Sequence, residues 1–416
     1  MRLTIPPSLR HRRYRLLWFG LMVSIAGTQM QIWSIFWHIR TITDQPIALG
    51  GVGLARIIPV ILFSLIGGAT ADVANRRKVM FITQTAMALG ALTLALLTFS
   101  ESVALWQIYA LTALQAVAVA FDTPARQSLV PNLVPPRDLP NAFSMSSLAF
   151  QTGAIVGPAL SGLVIAYLGQ PFTYLFNAIS YLAVLLALLL MGPVEQQARP
   201  QGRTSVSLSS IREGIQFILS QPIILSSMIL DFFATFFSSA NTLMPIFARD
   251  ILKVGAVEYG WLSSAQSIGA VSAALVISQL GQIRRQGPTF LVSVIVFGLA
   301  TILFGLSTTF WGAMLALIFV GAADSVSTII RNTIRQLQTP DYLRGRMTSI
   351  NQIFFMGGPQ LGEVEAGVVA QLFGAPMAVV SGGVGCILAV AWIARRWPQI
   401  AHYNGDEPMR AGAAAD

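Results

Sequence analysis

The chain has 416 residues, of which 54% are hydrophobic and only 10% charged, with a formal net charge of +9. A soluble domain carries about 25% charged residues, so a water-soluble enzyme is excluded, and the same apolar excess excludes intrinsic disorder. The basic residues are thinly spread between long apolar runs, which argues against nucleic acid as a partner. The lone cysteine, Cys386, rules out an internal disulfide and a cysteine-rich metal site.

A bilayer core needs roughly 20 apolar helical residues. Twelve stretches meet this need, at about 16–41, 47–71, 77–99, 103–124, 141–168, 171–192, 222–248, 257–280, 287–307, 309–334, 346–373 and 375–397. Turn-formers separate them, among them Asp44-Gln45-Pro46, Gly169-Gln170-Pro171 and Gly374-Ala375-Pro376. The basic N-terminus runs into an apolar stretch too long for a cleavable signal, so it is expected to stay as the first span. With that end inside, all but four of the 26 Lys/Arg fall on the inner side, Arg331 and Arg335 counted among them. Arg40, Arg249 and Lys253 lie outside, and Arg56 lies within a span. The positive-inside rule therefore puts both termini in the cytoplasm, with the chain in a plasma membrane of the bacterial inner-membrane kind.

The longest inner connection follows the sixth span and is polar. This divides the chain into an N-terminal six-helix half (1–192), a cytoplasmic linker (193–221) with an amphipathic helix over Ile211 to Leu219, a C-terminal half (222–398) and a disordered cytoplasmic tail (399–416). The halves repeat each other. Asp122 and Gly157-Pro158 in the first match Asp324 and Gly358-Pro359 in the second, at offsets of 202 and 201. Parallel six-span repeats are a carrier pattern, with the substrate site between them.

Three motifs carry a family resemblance. Gly67-Gly68-Ala69-Thr70-Ala71-Asp72-Val73-Ala74-Asn75-Arg76-Arg77-Lys78 after span 2 resembles the loop motif of the major facilitator superfamily, matching at Gly68, Asp72, Arg76 and Arg77. Gly153, Gly157, Pro158 and Gly162 in span 5 resemble its antiporter motif, with Ser161 in place of one glycine. Such small residues let helices approach closely, and the proline bends the helix. Asp122-Thr123-Pro124-Ala125-Arg126, with Asn141-Ala142, resembles the superfamily's transmembrane secretion effector branch, which includes enterobactin-exporter-like and macrolide-efflux-like proteins. The resemblance implies an all-α fold of twelve transmembrane helices in two pseudo-symmetric six-helix halves. It also implies a gating and conformational latch at Gly68, Asp72, Arg76, Arg77, Asp122 and Arg126, together with Gly153, Gly157, Pro158 and Gly162 of span 5. One departure stands out: the span 4 arginine of the superfamily is absent from Thr112-Ala113-Leu114-Gln115-Ala116, so coupling through that residue is not implied.

Charges within spans are costly and point to function. Arg56 and Glu363 both lie ~14–15 Å from the outer ends of their spans at 1.5 Å per residue. In the resembled fold spans 2 and 11 face each other, which suggests an ion pair of Arg56 with Glu363 or Glu365. Glu363 is favoured because it shares a small-residue face with Pro359, Ala366 and Gly367. The alternative is a static pair that only neutralises Arg56. Asp231 and Asp324 fall on spans that line the cavity of that fold, where either could bind a proton or a cationic group. For Asp324, simple pairing with Arg331 two turns away is the stronger alternative. Gln29, Gln31 and Trp33 of span 1, with Phe236 and Asn241 of span 7, offer the aromatic and sparse polar surface that a large amphipathic ligand needs.

The expected protein is a secondary transporter, a monomer in the lipid bilayer, exporting a small-molecule substrate such as a drug, siderophore or metabolite. The proton is the expected coupling ion, and no cofactor, metal or covalent chemistry is called for. An uptake symporter or facilitator is the nearest rival. A membrane-embedded enzyme or a channel is remote, since no phosphate loop or nucleophile motif appears and the three histidines are scattered.

Overall fold

The computed structural model describes residues 6–194, 196, 208–237, 240–279, 283–340 and 343–405. Among these residues there is no strand. The first six long helices are α1 (Arg12–Ile42), α2 (Pro46–Val73), α3 (Arg76–Phe99), α4 (Leu105–Leu129), α5 (Leu139–Tyr167) and α6 (Gln170–Met191). A linker helix, α7 (Leu208–Ser220), stands where the sequence suggests Ile211 to Leu219. Then come α8 (Pro222–Phe237), α9 (Ala256–Gln279), α10 (Gln286–Leu306), α11 (Phe310–Leu337), α12 (Arg344–Phe373), α13 (Ala375–Arg396) and the short α14 (Pro398–His402). Short helical turns carry the α8 span on to Ile251. Eleven helices are long and apolar enough to cross a membrane among the described residues. The twelfth long helix, α12, has 30 residues and carries Glu363 and Glu365. The chain is an all-α membrane protein.

Local chemistry sets the ends of these helices. Asn75 caps α3 by accepting the Lys78 N–H at 3.1 Å, and Thr309 caps α11 by accepting from Gly312, each satisfying a donor the helix leaves open. Gly169 and Gly374 begin α6 and α13 at φ 95° and 86°. Only glycine adopts that geometry without strain, and each precedes a proline suited to the first helical turn.

The chain forms two compact units. In the first, α1 packs on α5 and α6, and α3 packs on α4 and α6. In the second, α8 packs on α12 and α13, and α10 packs on α11 and α13. The packing scheme is thus repeated helix for helix. The first unit buries Tyr14, Leu17, Met80, Leu129 and Leu188 together, and the second buries Phe290, Val294, Ile334, Ile393 and Tyr403.

The unit boundaries depart from the sequence halves in two places. The first unit takes Val254–Ser264 and the second takes Gln45–Gly53. Glycine packing accounts for both exchanges. A Cβ on Gly162 of α5 would sit 2.8 Å from the Gly260 Cα of α9. Tyr259 also donates to the Trp33 carbonyl at 2.8 Å, and Ser264 to the Ile155 carbonyl at 2.8 Å. In the second unit, a Cβ on Gly50 of α2 would meet the Glu363 carbonyl of α12 at 2.9 Å and the Gly367 Cα at 3.3 Å.

The tail expectation needs correction up to residue 405. Ile400 and Tyr403 are fully buried, Gly287 N–H donates to the Tyr403 carbonyl at 2.9 Å, and Gln338 donates to the Tyr403 hydroxyl at 3.1 Å. Two apolar side chains in a polar context are enough to dock this turn on α10 and α11. The remainder of the tail, 406–416, and linker residues 195 and 197–207 lie outside the described residues.

Candidate functional site

The second unit holds a cluster of four charges, three of them buried. Asp231 lies within α8, and Arg331 and Arg335 lie one turn apart on α11. Asp231 Oδ1 is 2.9 Å from Arg331 Nη1, and its Oδ2 is 3.4 Å from Arg335 Nη2. Arg331 Nη1 reaches Asp324 Oδ1 at 3.6 Å and donates to Ser327 at 3.1 Å. Arg335 donates to the Ser227 hydroxyl at 3.3 Å and to the Ser227 carbonyl at 3.2 Å. Asp231, Arg331 and Arg335 are almost wholly buried, whereas the Asp324 side chain is 47% exposed. Charges this deep persist only when paired and hydrogen-bonded.

The structure thus joins Asp231 and Asp324 through one arginine. Arg331 and Arg335, expected on the inner side, are buried and held by a carboxylate from another helix. Arg335 is the residue that sequence reasoning missed. The available signal was a stripe on α11: Asp324, Ser327, Arg331 and Arg335 recur at helical spacing on one face.

The first unit holds a chain of neutral polar side chains. Asn177 donates to Gln31 at 2.7 Å, Gln31 to Gln115 at 2.9 Å, and Gln115 to the Tyr181 hydroxyl at 2.7 Å. Thr28 stands 3.0 Å from the same hydroxyl. This chain of side-chain bonds ties α1, α4 and α6 together in the part of α4 that lacks the superfamily arginine. Gln31 is therefore built into the helix bundle. Asp122 is buried, and its Oδ1 accepts from Thr83 at 2.9 Å and from Gln84 at 3.0 Å.

The loop motif works through backbone contacts. Arg76 donates to the Ala71 carbonyl at 3.2 Å, the Ser128 carbonyl at 3.0 Å and Asn132 at 2.7 Å. It therefore ties α2 to the C-terminal end of α4, where carbonyls are left open. Arg77 donates to the Leu188 carbonyl at 2.7 Å. The Asp72 side chain lies outside the described residues. A Cβ on Gly68 would meet nothing within 4 Å, whereas one on Gly67 would press on Ala120 and Phe121 of α4. Gly67 is the close-approach glycine of this loop. Arg126 is half-buried near the end of α4.

The span 5 glycines behave as their spacing suggests. Gly153 packs on Ile25 and Ala26 of α1, and Gly157 on Ala26, Gln29 and Met30. Pro158 is buried, and its carbonyl lies 2.8 Å from where a Gly260 Cβ would be. Gly358 of α12 packs in the same way on Phe232 and Thr235 of α8. Gln29 and Trp33 are half-buried on α1, and the Trp33 ring meets Phe36 and Tyr259 edge-on at 6.2 Å each. Phe236 stacks on Phe232 at 5.9 Å, and Asn241 is half-buried in the turn after α8. Glu363 is buried, its Cβ 2.9 Å from where a Gly53 Cβ would be, and Glu365 is half-buried. Arg56 is half-buried and falls in the first unit, Glu363 in the second.

The transmembrane secretion effector family matches residues 4–407. Among curated relatives, the multidrug efflux pump Tap of Mycolicibacterium fortuitum is 26% identical over 369 residues, 86% of this chain and 89% of Tap. The enterobactin exporter EntS of Escherichia coli (strain K12) is 24% identical over 345 residues, covering 83% of this chain and 82% of EntS. Among solved structures, a POT family transporter in complex with a thioalcohol-conjugated peptide gives a TM-score of 0.74 at 14% identity, covering 95% of this chain and 99% of that one. A bacterial homologue of the human lysosomal transporter Spinster gives 0.73 at 14% identity, covering 93% and 98%. At such identities the structures speak for the fold alone. With the repeated helix packing and the family match over nearly its whole length, the chain belongs to the transmembrane secretion effectors of the major facilitator superfamily and is a multi-pass membrane transporter.

Proposed function

We propose that this transporter exports a small amphipathic molecule, of the drug, siderophore or metabolite kind, by alternating access driven by proton antiport. It works as a monomer in a bacterial inner membrane with both termini in the cytoplasm. The carrying observation is the pair of small-residue contacts, Gly162 on Gly260 and Gly50 on Gly367. Each attaches a short segment of one sequence half to the helices of the other. Contacts made of backbone and glycine have little side chain to reorder, so they suit surfaces that part and rejoin. The cargo class is supported by the likeness to Tap and EntS. Coupling is assigned to the C-terminal half, where Asp231 and Asp324 meet Arg331, and Arg56 with Glu363 or Glu365 is assigned a gating role.

Everted membrane vesicles test the reading. With the interior made acidic, cargo from a panel of hydrophobic cations, siderophores and neutral drugs should accumulate and should leave again when the gradient is collapsed. Accumulation that ignores the gradient would mark a facilitator. Accumulation only in right-side-out vesicles would mark an uptake symporter.

A further inference from the structure

The two carboxylates that share Arg331 are not equivalent. Asp231 is 2% exposed, lies at 2.9 Å, and is held from the other side by Arg335. Asp324 is 47% exposed and stands farther off, at 3.6 Å. A half-exposed carboxylate midway along a span cannot sit against lipid without a large penalty, so it faces the bundle interior or a water-filled cavity.

The charged surroundings of Asp324 can be enumerated. On its own helix α11 they are Arg331 and Arg335. Of the elements packed around α11, α10 carries no charged residue and α8 carries only Asp231. α9 carries only Glu258, whose Oε2 accepts from the Gly255 N–H at the far end of that helix. Among the described residues of the second unit, Arg331 is the cation paired with Asp324, and its contact with Asp231 is the shorter one. Without the Asp231 charge, Arg335 would lose its carboxylate and Arg331 would keep only the half-exposed Asp324.

We infer that Asp324 is the exchanging carboxylate of this half: it takes up a cation, the coupling proton or a cationic group of the cargo, while Asp231 and Arg335 are positioning residues that hold Arg331 in place. The inference rests on the proton-antiport reading and assigns the group that carries it. When the cation arrives, Asp324 gives up its contact with Arg331 and the rest of the cluster stays intact.

The test uses infrared difference spectroscopy on the purified full-length chain in lipid nanodiscs. A titrating band from the carbonyl of a protonated carboxyl group should appear as pH falls. The band should vanish in Asp324→Asn, persist at a shifted frequency in Asp324→Glu, and persist in Asp231→Asn. Size-exclusion profiles identify any variant that fails to fold, and the Asp324→Glu variant keeps the comparison informative if the asparagine variant is lost. Tetraphenylphosphonium added in weak buffer then separates the two cations. A proton released for each cation bound, and none in Asp324→Asn, assigns both to Asp324. Binding without release assigns Asp324 to the proton alone. A titrating band that survives Asp324→Asn overturns the inference, as does a band lost in Asp231→Asn only. These readouts need no transport, so they stand apart from any failure of gradient-driven export.

Discussion

Asp231 and Arg331 form a buried ion pair at 2.9 Å, contributed by two helices and almost sealed from solvent. A second arginine, Arg335, flanks the same carboxylate at 3.4 Å. A carboxylate between two guanidinium groups is a fixed part of the fold, because removing it strands both cations. Breaking a buried pair from one side costs about 3–5 kcal/mol. Asp231→Asn should therefore lower the thermal unfolding midpoint of the purified protein strongly, and Asp324→Asn much less. Equal losses from the two would contradict the division of labour between them.

The loop after α2 offers a sharper contrast. Gly67→Val places a side chain against the Ala120 backbone, which cannot step aside, while Gly68→Val meets open space. Overpacking of this kind costs about 1–3 kcal/mol. Denaturation of the two variants in detergent should show a clear loss at residue 67 and near-neutrality at 68. A loss at 68 with none at 67 would show that the family motif, and not the local packing, sets the constraint.

Tyr403 anchors the turn that follows α13. Its ring is fully buried and its hydroxyl accepts from Gln338. Removing a large buried aromatic costs about 3–5 kcal/mol. Tyr403→Ala should lower the unfolding midpoint, and Tyr403→Phe, which keeps the ring, should lower it far less. A silent alanine variant would mean that this turn does not hold to the second unit.

The gating role assigned to Arg56 and Glu363 is open to a charge-reversal cycle. Arg56→Glu and Glu363→Arg should each depress transport, and the double reversal should recover part of it, with a coupling of about 0.5–3 kcal/mol. Vesicle transport by the four proteins gives the answer. A double reversal no better than the worse single one would dismiss direct pairing.

Much of this fold is legible in the sequence, because a membrane span is a local property. Twenty apolar residues between turn-formers declare themselves, and the Asp122/Asp324 and Gly157/Gly358 matches expose the repeat that the helix packing then reproduces. The site is less legible because its partners are distant. Asp231 and Arg335 are separated by 104 residues, and nothing local says that an arginine near the end of a span turns inward to meet a carboxylate. Arg331 and Arg335 accordingly read as inner-face charges. Gln115 presents the same difficulty. Its neighbourhood shows that an arginine is missing, but the bonds it makes with Gln31 and Tyr181 depend on how α1 and α6 pack. Gly67 and Gly68 cannot be told apart by motif, since only the approach of α4 distinguishes them. The tail turn is the opposite case, where two apolar residues were outweighed by a polar, glycine-containing context.

Export by this chain is proposed to be driven by proton movement through the C-terminal half. Its most direct measurement is proton flux in liposomes that contain the purified chain and a trapped pH-sensitive dye, with an outward cargo gradient and no imposed pH gradient. Cargo-dependent proton entry is expected, abolished in Asp324→Asn. Cargo efflux at an undiminished rate with no proton movement, in the native chain and the variant alike, would contradict it.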